Sequence, residues 1–130
     1  MTVADCRKNI LILDPERDTA ELFSRALEHH CAGYKCYWVS DTQMAMSLIS
    51  EIPFSFILAD VSLLQQGNFL LLEWIRESDS GTVVIANAYL KEKHSILKAM
   101  QLGAAGYFTK PVMVSSLRML IDDFINAEDA

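Results

Sequence analysis

Pro53-Phe54-Ser55-Phe56-Ile57-Leu58-Ala59-Asp60 is the stretch whose reading decides the fold. A short run rich in aromatic and aliphatic side chains, opened by a proline, predicts a buried strand. It ends abruptly in a carboxylate. A charge at the carboxyl end of a buried strand falls where open α/β sheets place their ligand crevice. The plainer role for Asp60, capping the next helix, is set against a sequence with no clear helical pattern before about Asn68.

The same grammar recurs on both sides of this run. Upstream, Asn9-Ile10-Leu11-Ile12-Leu13 is a second continuous apolar strand, stopped by Asp14-Pro15. Pro15 suits a first helical turn, and Glu16 and Asp18 suit its positive end. Ala20, Phe23, Ala26 and Leu27 then recur at helical spacing to about His30, and Gly33 breaks the helix. Tyr34 to Val39 reads as a strand with a more polar face, at a sheet edge. Ser40-Asp41 can cap a helix whose inner stripe is Ala45, Leu48, Ile49 and Ile52.

Downstream, residues 61–67 read as a loop containing Gly67, followed by a helix from about Asn68 to Glu77. Phe69, Leu71, Leu72 and Ile75 cluster on its inner side. Leu70 and Trp74 fall on the opposite side, either covered by a loop or serving as anchors of a contact surface. Thr82 to Asn87 is a fourth strand, about Glu92 to Leu102 a helix ended by Gly103, and Gly106 to Thr109 a short fifth strand closed by Lys110-Pro111. Val114, Leu117, Leu120, Ile121 and Phe124 mark the inner stripe of a last helix, about 114–126. Strand and helix alternate five times, which predicts an α/β fold: one doubly wound, five-stranded parallel sheet with right-handed crossovers. Asp14, Asp60 and Lys110 then gather on one rim.

Length and composition agree. With 130 residues, 52% hydrophobic and 22% charged, the chain reads as a single domain, 1–130, with a core of about 9–126. A net charge of −6 without a Lys/Arg run argues against direct nucleic-acid or membrane binding. Cys6, Cys31 and Cys36 are odd in number and lack metal-site spacing, so reduced thiols in a cytoplasmic protein are expected. Met1 to Lys8 has no signal-peptide core. His29-His30 suits a helix C-terminus, Met44 and Met46 an ordinary amphipathic helix, and no Gly-rich phosphate loop follows the first strand.

Ile10-Leu11-Ile12-Leu13-Asp14, Phe56-Ile57-Leu58-Ala59-Asp60 and Gly103-Ala104-Ala105-Gly106-Tyr107-Phe108-Thr109-Lys110-Pro111 together resemble the receiver domain of bacterial two-component response regulators. The third run is the most specific, and the resemblance extends from Asn9 to about Phe124. It implies a flavodoxin-like (βα)5 fold with strand order 2-1-3-4-5. It further implies that Asp60 is a phosphoacceptor, taking a phosphoryl group from a histidine kinase or phosphotransfer protein as an aspartyl phosphate. Lys110 would neutralise phosphoryl oxygens, and Asn87 and Tyr107 would stand at the phosphoryl-contacting and switch positions. Asp14, Asp60 and the backbone carbonyl of Ser62 would hold Mg²⁺.

Departures from the pattern modify these expectations. Pro15 stands where a second acid normally ligates the metal, so Mg²⁺ binding is expected to be weak, with Glu16 the nearest substitute oxygen. Asn87 replaces a Ser or Thr, keeping a donor on a larger side chain. Leu64 replaces a frequent proline. Three functions follow: a non-enzymatic phosphorelay receiver that switches an interaction surface for an output protein or a second copy of the chain; a degenerate receiver that binds a partner without phosphorylation; and a flavodoxin-like ligand-binding protein or enzyme sharing only the fold. No output-domain pattern follows the fifth strand and its helix, so DNA binding through a helix-turn-helix is not expected of these residues.

Overall fold

The structure, a computed structural model, describes residues 9–30, 33–78, 80–111, 115, 116, 119 and 123. Strands β1 (Asn9–Leu13), β2 (Lys35–Val39), β3 (Phe56–Asp60), β4 (Val83–Tyr89) and β5 (Gly106–Lys110) form one sheet in the order β2-β1-β3-β4-β5. Every neighbouring pair is parallel. Helices α1 (Arg17–His30), α2 (Thr42–Glu51), α3 (Val61–Gln66), α4 (Leu70–Ser78) and α5 (Lys93–Gln101) connect them. Parallel pairing forces each connection to cross over the sheet, so its faces are covered and the inner strands need no polar side. That is why β1 and β3 are buried at all five positions.

Strand alternation sorts the core into two layers. Leu11, Leu13, Ile57, Ala59, Val84 and Ala86 pack with residues of α2 to α5, among them Ala45, Leu64, Leu71, Ile75 and Ile96. Ile10, Ile12, Phe56, Leu58 and Ile85 pack on the other face with Ala20, Phe23 and Leu27 of α1. Phe108 of β5 meets Phe23 edge-on at 5.6 Å between centroids. β2 lies at the edge, with Lys35 and Trp38 exposed. Asp41 caps α2 by accepting from the Met44 amide at 2.7 Å.

Three expected boundaries shift. Residues 61–66 are a helix rather than a loop, because the Asp60 side chain caps them and Leu63 and Leu64 bury their apolar side. A six-residue helix shows too little periodicity to be visible in sequence. β4 runs two residues past Asn87, to Tyr89, and a 3₁₀ turn, Leu90–Glu92, precedes α5. Between α3 and α4, Asn68 and Phe69 both take positive φ, 52° and 58°. For phenylalanine that costs on the order of 1–2 kcal/mol, offset by burying its ring in the core. Gly103, at φ +119°, ends α5 where a side chain would be strained. The stripe expected for the last helix, Val114, Leu117, Leu120, Ile121 and Phe124, lies outside the described residues; Ser115 and Ser116 are helical.

Candidate functional site

Period two delivers the polar residues as well as the core. Asp14, Asp60, Asn87 and Lys110 each lie two positions beyond an apolar residue of the α1-facing layer, namely Ile12, Leu58, Ile85 and Phe108. The alternation carries all four to the same side of the sheet at the carboxyl ends of β1, β3, β4 and β5. All four are buried, Asp14 and Asn87 at 0% exposure, Asp60 at 3% and Lys110 at 8%.

Lys110 joins the two acids. Its Nζ donates to Asp14 Oδ2 and to Asp60 Oδ2, each at 2.8 Å. These are charge-assisted contacts made almost wholly out of water, with side-chain exposures of 4% or less on all three groups. Burial pulls the Lys110 ammonium pKa down, but the hydrogen bonds and charges of Asp14 and Asp60 outweigh it, and the net direction is up. The Tyr89 ring, register partner of Lys110, lies 5.7 Å from the same nitrogen. The Lys110–Pro111 peptide is cis.

The remaining oxygens are also engaged. Asp60 Oδ1 accepts from the Ser62 amide at 2.9 Å, from the Leu63 amide at 3.2 Å and from the Ser62 hydroxyl. The capping role discounted from sequence is therefore what Asp60 does in this conformation, alongside its ion pair. Asp14 Oδ1 accepts from the Glu16 amide at 2.9 Å, closing a local turn. The Asp14 carbonyl accepts from Trp38 Nε1 at 2.9 Å. Trp38, a site neighbour that sequence reasoning missed, pins the β1–α1 connection from the adjacent edge strand; no local pattern could have found it. Asn87 contrasts with its neighbours: neither its Nδ2 nor its Oδ1 has a hydrogen-bond partner among the described residues.

Other expected residues fall elsewhere. Tyr107 is 55% exposed and points outward. Leu70 is exposed as expected, but Trp74 is half-buried and packs on the core, beside Ile49, Pro53 and Phe54. The two therefore do not form one exposed face. Their shared helical side is divided because α2 and the connection between α2 and β3 reach Trp74.

The donor set does not fit Mg²⁺. That ion demands near-octahedral oxygen geometry and keeps several waters. Asp14 has no exposed surface, Pro15 has no side-chain oxygen, and Glu16 is exposed outside the cluster. Ser62, expected to offer its carbonyl, lies in the first turn of α3, where carbonyls point along the axis into the helix's own ladder. No group of three or more His, Cys, Asp or Glu among the described residues could hold a metal ion.

Comparison with known proteins converges on one family. A family model described as the response regulator receiver domain matches residues 10–122. The regulatory protein AtoC of Escherichia coli is 23% identical over 112 residues, 86% of this chain and 24% of AtoC. A two-component response regulator from Clostridium difficile superposes with a TM-score of 0.81 at 21% identity, over 95% of this chain and 99% of that one. NtrX from Brucella abortus gives a TM-score of 0.80 at 20% identity, over 93% of this chain and 27% of NtrX. The chain thus spans about a quarter of the length of AtoC and NtrX. At such identities the solved structures speak for the fold.

Proposed function

The chain belongs to the response regulator receiver domain family of two-component signalling, and from that premise we propose that it works as a phosphorylation-independent receiver, a signalling module that meets its partner through surface contacts. One observation carries this reading: Lys110 Nζ lies 2.8 Å from both Asp14 Oδ2 and Asp60 Oδ2 with all three side chains almost wholly buried. Asp60 Oδ2 keeps a lone pair beyond the one that faces Lys110, so the case against phosphoryl acceptance is one of charge: Pro15 withholds a metal-ligating oxygen, and Lys110 is already shared between two carboxylates. Asp60 Oδ1 serves the α3 cap while Oδ2 pairs with Lys110. The ion-pair cluster ties β1, β3 and β5 together at the rim and acts as a structural clasp. The partner is then an output or sensor protein recognised by shape, or a second copy of the chain, rather than a phosphoryl donor.

The orphaned amide of Asn87 favours a second reading. Asn87 is the register partner of Asp60, and a phosphoryl group on Asp60 would give its Nδ2 an acceptor. In that reading a histidine kinase or phosphotransfer protein supplies the group. Asp60 Oδ2 leaves Lys110 and bonds to phosphorus, the donor's P–N bond breaks, the imidazole keeps that electron pair, and Lys110 pairs with a phosphoryl oxygen. Incubation with acetyl phosphate followed by intact-mass spectrometry separates the readings. We expect no added phosphoryl group on either the natural chain or Asp60→Asn. A gain confined to the natural chain establishes the second reading, and equal gain in both removes Asp60 from either.

A further inference from the structure

At the other end of the sheet from Asp60, α2 and α4 leave a cleft of about 190 Å³ between them. The five-residue β3 separates it from the rim by roughly 17 Å, and the Asp14–Asp60–Lys110 cluster takes no part in it. We infer that this cleft binds a small, neutral heteroaromatic molecule that carries an N–H donor. Such a site works whether or not Asp60 accepts a phosphoryl group.

The walls are apolar and already fixed. Trp74 and Ile75 of α4 line the cleft with Ile49 of α2 and with Pro53 and Phe54, which lead into β3. The Phe54 ring meets Tyr37 edge-on at 5.5 Å between centroids. Thr82 Oγ1 donates to the Phe54 carbonyl at 2.8 Å, and the Val83 amide donates to the Ser55 carbonyl at 3.0 Å. The connections into β3 and β4 are therefore tied together before any ligand arrives. Trp74 is only half-buried, which leaves part of its indole for a flat ring to cover. An apolar cavity of about 150 Å³ takes benzene, so this slightly larger, open-mouthed cleft suits a ligand of one or two rings.

The polar lining sets the ligand's chemistry. Four hydroxyls border the apolar walls, and each donates its proton to the protein. Ser50 donates to the Ser47 carbonyl and Ser78 to the Ile75 carbonyl, both at 2.6 Å. Ser80 donates to Thr82 Oγ1 at 3.0 Å, and Thr82 donates to the Phe54 carbonyl. These oxygens therefore offer lone pairs and no free proton. An N–H on the ligand finds acceptors here, whereas a carbonyl or carboxylate finds no hydroxyl left to donate. Among the described residues no charged side chain lines the cleft, so an ion entering it would lose water without gaining a counter-charge. A neutral ring with a donor is the chemistry that remains.

Indole is the probe, set against benzofuran, which has the same shape with an oxygen in place of the N–H. Each is titrated into the full chain, labelled with nitrogen-15, while two-dimensional NMR follows the backbone amides and the two tryptophan Nε1–H signals. Trp38 serves as the internal control, because it donates to the Asp14 carbonyl at the far rim. Indole is expected to move the Trp74 signal and the Ser50 and Ser78 amides saturably, with Kd on the order of 0.5 mM for so small a ligand. The Trp38 signal should stay in place, and benzofuran should bind roughly fivefold more weakly. Ser50→Phe, made at an exposed position, should fill the cleft and abolish indole binding. Ser50→Ala/Ser78→Ala keeps the walls and removes lone pairs, so the preference for indole over benzofuran should shrink. Shifts that do not saturate, or that affect Trp38 as much as Trp74, overturn the proposal. So do equal affinities for the two probes, full binding by Ser50→Phe, or an undiminished preference in the alanine pair.

Discussion

Asp60 and Asn87 are register partners across β3 and β4 and are both buried, yet Asp60 has both carboxylate oxygens engaged while the Asn87 amide has no partner among the described residues. An unpaired buried polar group costs about 1–3 kcal/mol. Asn87→Val removes both orphaned atoms and suits a strand. It is expected to raise stability by about 1 kcal/mol, seen as a higher urea midpoint at unchanged slope. A loss of that size instead would mean that the amide has a partner in solution.

Lys110 gives stability an alkaline limit. Its pKa is raised in the folded chain, because Asp14 and Asp60 outweigh the effect of burial. A raised folded value means that its contribution is fully present below the ordinary lysine pKa of about 10.4 and is lost as pH climbs through the higher folded value. Unfolding free energies measured from neutral pH upward should fall above that point. The difference between the natural chain and Lys110→Met should shrink over the same range; a difference constant with pH would remove Lys110 as the titrating group.

The helix after the site offers a test of how burial divides one helical side. Leu70, at 59% exposure, should tolerate Leu70→Lys within about 0.5 kcal/mol. Trp74 packs against the core, so Trp74→Lys should cost about 1–3 kcal/mol. Chemical denaturation of the two variants decides it, and equal losses would contradict the packing described. Sedimentation velocity of Leu70→Lys asks separately whether this exposed leucine contributes to self-association.

The sequence by itself determined the strands, their parallel pairing and the gathering of Asp14, Asp60 and Lys110 on one rim, while the strand order followed from the family resemblance. Long apolar runs ending in charge are local signals, and five alternations leave few topologies. The inner faces were readable for the same reason: period two in the strands placed Ile12 and Leu58 opposite Leu11 and Ile57. Only the tertiary structure decided what those polar residues do. Lys110 and Asp14 are 96 positions apart in the chain, and no local pattern sets a 2.8 Å contact over that span. The cap that Asp60 provides to α3 was hidden because six residues carry too little periodicity to announce a helix. Trp38 reached Asp14 from the edge strand, and Trp74 was drawn toward Phe54, through neighbours that the chain brings close only on folding. Alternation tells which face a side chain takes, whereas its partners depend on which other elements the packed sheet brings to that face.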